Sequence, residues 1–167
     1  TLSRRTGDTE MEMLSSSTYL EYQRLLGENK EHKLNLRGVW NKRSHDEENR
    51  SYSYAESGEI IDGTLANEDG PSQIIELKAD YTLPMGESRR FESGYQLRTG
   101  ASEDKTDLSY YNTETSSFER DARFDHFVEY ERTIHSAYLI YSEQIGLFSY
   151  QGGVRSEIIN RSITLPE

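Results

Sequence analysis

The stretch from Thr133 to Ile158, Thr-Ile-His-Ser-Ala-Tyr-Leu-Ile-Tyr-Ser-Glu-Gln-Ile-Gly-Leu-Phe-Ser-Tyr-Gln-Gly-Gly-Val-Arg-Ser-Glu-Ile, reads as one long β-hairpin that turns near Gly146. In its second arm Phe148, Tyr150, Gly152 and Val154 alternate with Ser149, Gln151, Gly153 and Arg155. Successive side chains of a strand point to opposite faces, so this arm has one apolar or small face and one hydrogen-bonding face. Ala137, Leu139 and Tyr141 keep the apolar phase in the first arm. A ribbon of this kind separates two solvents. Its apolar side meets either a packed protein core or lipid, and the two alternatives call for different architectures.

Outward from this hairpin the same period recurs. Ile75, Leu77, Ala79, Tyr81 and Leu83 alternate with Glu76, Lys78, Asp80 and Thr82. After a turn at Gly86, Phe91, Ser93, Tyr95 and Leu97 alternate with Glu92, Gly94, Gln96 and Arg98. Nearer the N-terminus Leu34, Leu36, Gly38 and Trp40 alternate with Asn35, Arg37, Val39 and Asn41, behind a turn at 27–31 and a strand that puts Leu20 and Tyr22 on one face. The expected fold is all-β, an antiparallel up-and-down meander of about six long strands, roughly 16–26, 32–43, 74–84, 90–100, 127–143 and 147–160, forming part of a transmembrane β-barrel. Residues 44–72 and 101–125 are polar and acidic and read as long loops. The short turns near Gly27, Gly86 and Gly146 then fall at one end of the meander and both long loops at the other, as in outer-membrane barrels.

Bulk properties fit this reading. Of 167 residues only 33% are hydrophobic and 29% are charged, and the mean hydropathy is -0.88. Twelve tyrosines in alternating runs argue against a disordered chain of that polarity. A thin apolar band on an otherwise wet sheet reconciles the two. The net charge of -11 argues against a nucleic-acid partner, because phosphate binding needs a basic surface. Without cysteine there is neither a disulfide framework nor a thiolate metal site. No run of about 18 apolar residues occurs, but barrel strands span with about 10 alternating residues and escape that test. The chain starts at Thr1 without Met, so any targeting segment is expected to have been removed or to lie upstream in a longer parent.

Sites of chemistry are scarce. His45, Asp46, Glu47 and Glu48 invite a hard cation, yet lack the ligand spacing of a calcium loop, and a solvated acidic loop is the simpler reading. His135 shares the parity of Ala137 and Leu139, which suits a hydrogen-bonding interfacial role. No Gly-x-Ser-x-Gly elbow is present and nothing singles out a carboxylate pair. No enzymatic activity, metal or cofactor is therefore expected. Gly94, Gly152 and Gly153 are read as backbone devices for bends or close strand approach.

The segments Leu77-Lys-Ala-Asp-Tyr-Thr-Leu-Pro84 with Gly86, Phe91-Glu-Ser-Gly-Tyr95, Ile134-His-Ser-Ala-Tyr138 and Ile145 to Glu157, with His32-Lys-Leu-Asn-Leu36 opening a strand, together resemble the outer-membrane β-barrel region of TonB-dependent receptors of the Bacteroidetes type. The resemblance covers about 16–164. It implies the bacterial outer membrane, a wall segment of a receptor or transporter for a nutrient, and a parent carrying the remaining barrel, a plug and a link to the TonB energy-coupling protein. On this reading Leu34, Leu36, Trp40, Ile75, Leu77, Ala79, Tyr81, Leu83, Phe91, Tyr95, Leu97, Ala137, Leu139, Tyr141, Phe148, Tyr150 and Val154 face lipid. Glu76, Lys78, Asp80, Glu92, Gln96, Arg98, Gln151, Arg155 and Glu157 face the lumen. Tyr22, Tyr81, Phe91, Tyr141 and Phe148 form an interfacial girdle, where a ring buries its body and wets its edge. The alternative is a soluble extracellular β-sandwich or meander module, binding glycan through Trp40 and loop tyrosines, with the apolar residues packed between sheets.

Overall fold

The structure, a computed structural model, describes residues 4–28 and 30–165. Its strands are β1 (Arg4–Leu25), β2 (Lys33–Tyr54), β3 (Ile60–Asp69), β4 (Ser72–Pro84), β5 (Arg89–Asn112), β6 (Ser117–Arg120), β7 (His126–Ile145) and β8 (Phe148–Thr164). All belong to one antiparallel sheet in which β1, β2, β3, β5, β7 and β8 are successive neighbours, while β4 sits between β2 and β5 and β6 pairs with β5. β3 and β4 are a single strand. Asp46 pairs with Asp69 and Arg43 with Ser72 on the same ladder of β2. The interruption is Pro71, which has no N–H to donate. Around it the Gly70 N–H donates to His45 O at 2.8 Å and the Glu103 N–H to Pro71 O at 3.0 Å. Six long strands running up and down therefore make the wall.

The two expected loops are mostly strand. β2 continues through 44–54, turns through Ala55–Glu59, where the Ala55 N–H donates to Glu59 O at 2.9 Å, and returns as β3. β5 continues to Asn112, turns back as β6, and reaches β7 through a 3-10 turn at Ala122–Phe124. Likewise β1 starts at Arg4 and pairs with β2 along its whole length. The reason lies in solvation. A strand wet on both faces needs no apolar phase, so its pairing leaves no hydrophobic period for the sequence to show. Cross-strand polar pairs replace it, with Thr9 Oγ1 donating to Asn49 Oδ1 at 2.6 Å and Ser51 Oγ sharing a bond with Thr64 Oγ1 at 2.7 Å. The sorting by end survives in another form: the strands project far beyond the apolar stretch at one end only.

At the other end the turns are tight. Ile145 pairs with Phe148, leaving Gly146 and Leu147 as a two-residue loop, and Gly146 takes φ 62°, the conformation that a II′ hairpin demands of its first residue. Met85 to Ser88 joins β4 to β5, with the Met85 N–H bonded to Arg89 O at 2.8 Å. In the first turn, Asn29 lies outside the described residues.

Among the described residues no hydrophobic side chain is buried, and there is no second sheet. A β-sandwich would need both. The alternative of a soluble sandwich, with its apolar residues packed between sheets, therefore does not hold.

Candidate functional site

The functional surface is the sheet itself, and its register defines the two faces. Directly opposed residues of antiparallel strands share a face. Leu36 pairs with Ala79, Ala79 with Tyr95, Tyr95 with Ala137, and Tyr22 with Leu36. One row further, Leu20, Gly38, Leu77, Leu97, His135 and Ile158 line up across all six strands. Trp40 and Ile75 are paired above them, and Leu34 with Tyr81, Leu83 with Phe91, Phe91 with Tyr141 and Leu139 with Val154 below. Nearest the tight turns lie Tyr150, opposite Glu143, and Phe148, opposite Ile145. Every residue expected on the apolar face thus falls on one side. These side chains remain open, with Trp40, Leu77 and Leu139 each 49% exposed.

Polar atoms on this face are paired sideways. Tyr95 Oη and His135 Nδ1 are 2.7 Å apart, and His32 Nε2 and Tyr81 Oη 2.9 Å. Near the tight turns Tyr141 and Tyr150 pack with ring centroids 6.2 Å apart, and both hydroxyls donate to the carboxylate of Glu143, Tyr141 at 2.9 Å. A ring with its body on an apolar surface and its hydroxyl tied to a carboxylate is the arrangement that an interface rewards.

The opposite face gathers every residue of the expected polar set. Glu76 pairs with Arg98, Lys78 with Gln96 and Thr82 with Glu92; Asp80 pairs with Gly94, and Tyr138 with both Gly94 and Arg155. Gln151 lies opposite Ser142 and Glu157 opposite Ser136. The centre of this face is a bonded network. Tyr138 crosses above Gly94 and donates to Asp80 Oδ1, two strands away, at 2.7 Å. The same carboxylate holds Lys78 Nζ at 2.9 Å. Any side chain at Gly94 would overlap the Tyr138 ring. Beside this, Ser136 donates to Glu157 Oε2 at 3.0 Å, and Arg155 reaches the same oxygen at 3.2 Å. The buried polar residues Thr82 and Ser136 both lie here.

Tyr138, Tyr130 and Arg132 carry much of this face yet were absent from the expected set. Their signal was present in the sequence: they share the even parity of β7, opposite to Ala137 and Leu139. Gly153 is crowded, since a Cβ there would lie 2.8 Å from Leu139 O, whereas Gly152 has open space and no close-approach role.

Beyond Trp40 the sheet changes character. His45 to Glu48 lies in β2, so its side chains alternate between faces and the four cannot converge on one ion. His45 Nε2 meets Glu47 Oε2 at 3.4 Å on one face. On the other, Asp46 opposes both Glu12 and Asp69, and Glu48 opposes Glu10. Higher up, the Tyr52, Tyr111 and Phe118 rings cluster with centroids 5.5–5.9 Å apart. The turn into β7 is clamped by ion pairs. Arg120 bridges Asp107 at 2.6 Å and Asp125 at 2.8 Å, and Arg123 holds Asp121 at 2.6 Å. The Arg123 hydrogen bond keeps the Asp121 carboxyl below its usual range.

A single antiparallel sheet with a continuous open apolar face, a bonded polar face and no core of its own is the wall of a transmembrane β-barrel. The chain belongs to the outer membrane protein beta-barrel family, which its sequence matches over residues 27–166. It is a protein of the bacterial outer membrane. In fold it is similar to the crystal structure of the ferric citrate transporter FecA in the unliganded form, at 18% identity with a TM-score of 0.54. The match covers 93% of this chain and 22% of that one, so the chain spans less than a quarter of the similar structure. No curated protein matches the chain.

Proposed function

We propose that the chain is part of the wall of an outer-membrane receptor that takes up a nutrient, with its apolar face to lipid and its polar face to a wet lumen. The observation that carries this is the partition of side chains. Among the described residues a belt from Phe148 and Tyr150 up to Trp40 and Ile75 is left uncovered, while the centre of the opposite face is bonded through Lys78 with Asp80 and Arg155 with Glu157. Lipid is the solvent in which an uncovered belt of this kind is stable.

The tight turns then lie on the periplasmic side. At about 3.3 Å per residue and a tilt near 45°, a strand as long as β5 rises roughly 55 Å, well beyond an apolar band of about 25 Å. The polar upper halves of β2, β3 and β5 therefore stand outside the cell, where a nutrient is first met. The remaining strands and a plug belong to a longer parent, and the TonB protein supplies energy through that parent. The role is passage rather than catalysis.

Adjacent residues on β4 test the orientation. In the full-length protein in native membranes, a water-soluble maleimide is expected to label Lys78→Cys and to leave Leu77→Cys unmodified. Labelling of Leu77→Cys with Lys78→Cys protected would reverse the faces, and labelling of both would remove the lipid belt.

A further inference from the structure

We propose that the polar face carries a binding recess for a small oxyanion, a carboxylate or phosphate group, built on Arg98 of β5 and Arg132 of β7. Both arginines line one recess of about 260 Å³, together with Tyr130, Ser72 and Ser102. The register explains how the recess forms. Arg132 lies opposite Gly100 and Arg98 opposite Ile134, so the two arginines are diagonal neighbours, roughly 7 Å apart at their bases, with no side chain at Gly100 between them. Ile74 and Ile134 flank the gap.

The charges in the recess are uncompensated. The chain carries a net charge of -11, yet neither Arg98 nor Arg132 has an ion pair or hydrogen bond among the described residues. Glu76 is the register partner of Arg98 and does not close onto it. The residue across from Arg132 on β8 is Arg161, a third cation. Like charges directly opposed on a sheet are unfavourable unless an anion lies between or beside them. Guanidinium groups present paired N–H donors that match the two oxygens of a carboxylate or phosphate, and the hydroxyls of Tyr130, Ser72 and Ser102 add further donors. The bound group is either that of a dissolved solute or an acidic side chain of a segment seated in the lumen. This inference rests on the reading of the polar face as lumen.

The test uses the full-length protein folded in detergent, with folding of each variant checked by heat-modifiable electrophoretic mobility. Titration calorimetry at low ionic strength with inorganic phosphate and with succinate is expected to show binding that weakens with added salt. Arg98→Gln and Arg132→Gln should each weaken it roughly tenfold and together abolish it, as expected for the loss of charge-assisted bonds. Lys42→Gln, an exposed cation on the other face, should leave it unchanged. Binding to the intact protein identifies a dissolved anion as occupant. Binding that appears only after deletion of a lumen-filling domain identifies an acid of that domain. Failure of both probes in both forms, or an equal loss in Lys42→Gln, overturns the recess. Maleimide labelling of Arg98→Cys separates the two levels: a labelled but non-binding protein refutes only the recess, whereas a lipid-protected Arg98→Cys refutes the lumen reading beneath it.

Discussion

The crossing of Tyr138 over Gly94 shows how much one absent side chain does in this wall. The glycine lets an aromatic ring lie flat across a neighbouring strand and bond a carboxylate on the next one, tying β4 to β7 through their side chains across β5. A methyl group at Gly94 would displace the ring and leave Asp80 with Lys78 alone. Gly94→Ala is therefore expected to lower the temperature at which the full-length barrel loses its folded electrophoretic mobility. Tyr138→Phe, which removes only the hydroxyl, should cost about 1 kcal/mol. The decisive measurement is the cycle with Tyr138→Ala. In that background Gly94→Ala should lose most of its effect, because no ring remains to collide with. Full additivity of the two changes would show that the glycine acts on the backbone instead.

At the scale of elements, the outer halves of the strands are held by different forces from the spanning halves. Asp46 and Asp69 face each other across β2 and β3, with Glu12 opposite Asp46 on the far side. Removing one charge relieves this repulsion. Asp46→Asn, which removes both repulsions, should raise hydrogen-exchange protection of the 46–50 and 65–69 amides roughly two- to fivefold at low salt, with little change at high salt. The turn between β6 and β7 depends on pH in the opposite sense to a relief of repulsion. Because Arg123 holds the Asp121 carboxyl below its usual range, its folded pKa is depressed relative to the unfolded chain. That contribution is complete above about pH 4 and disappears as the pH falls through the lowered value. Exchange of the 121–125 amides should accordingly stay constant from neutral pH down to about pH 4, after correction for intrinsic rates, and accelerate below it. Asp121→Asn should abolish that step.

At the scale of the whole molecule, the open edges dominate. Among the described residues β1 pairs only with β2 and β8 only with β7, so each presents a row of unpaired N–H and C=O groups. Such rows cannot face lipid, since each unsatisfied group there costs several kcal/mol. On the proposed reading, neighbouring strands of a longer parent cover them. Hydrogen exchange checks this: outward-pointing amides of β1 and β8 should be protected in the full-length barrel to the same degree as those of β5. If this chain is expressed alone in detergent, the same amides should exchange rapidly, or be protected only in concentration-dependent oligomers.

The sequence alone carried the alternation that defines the two faces, the tight turns at Gly86 and Gly146 and the resemblance to receptor barrels. It could do so because one face of each spanning segment must be apolar, and a period of two follows directly from the pleat. It did not carry the strands at 44–54, 60–69 and 101–112, because a ladder solvated on both sides is held by backbone bonds that any polar residue can form. The contact of Tyr138 with Asp80 and the pairing of Arg98 and Arg132 around Gly100 were beyond it too. They join residues on different strands, and only the register of the folded sheet decides which side chains become neighbours.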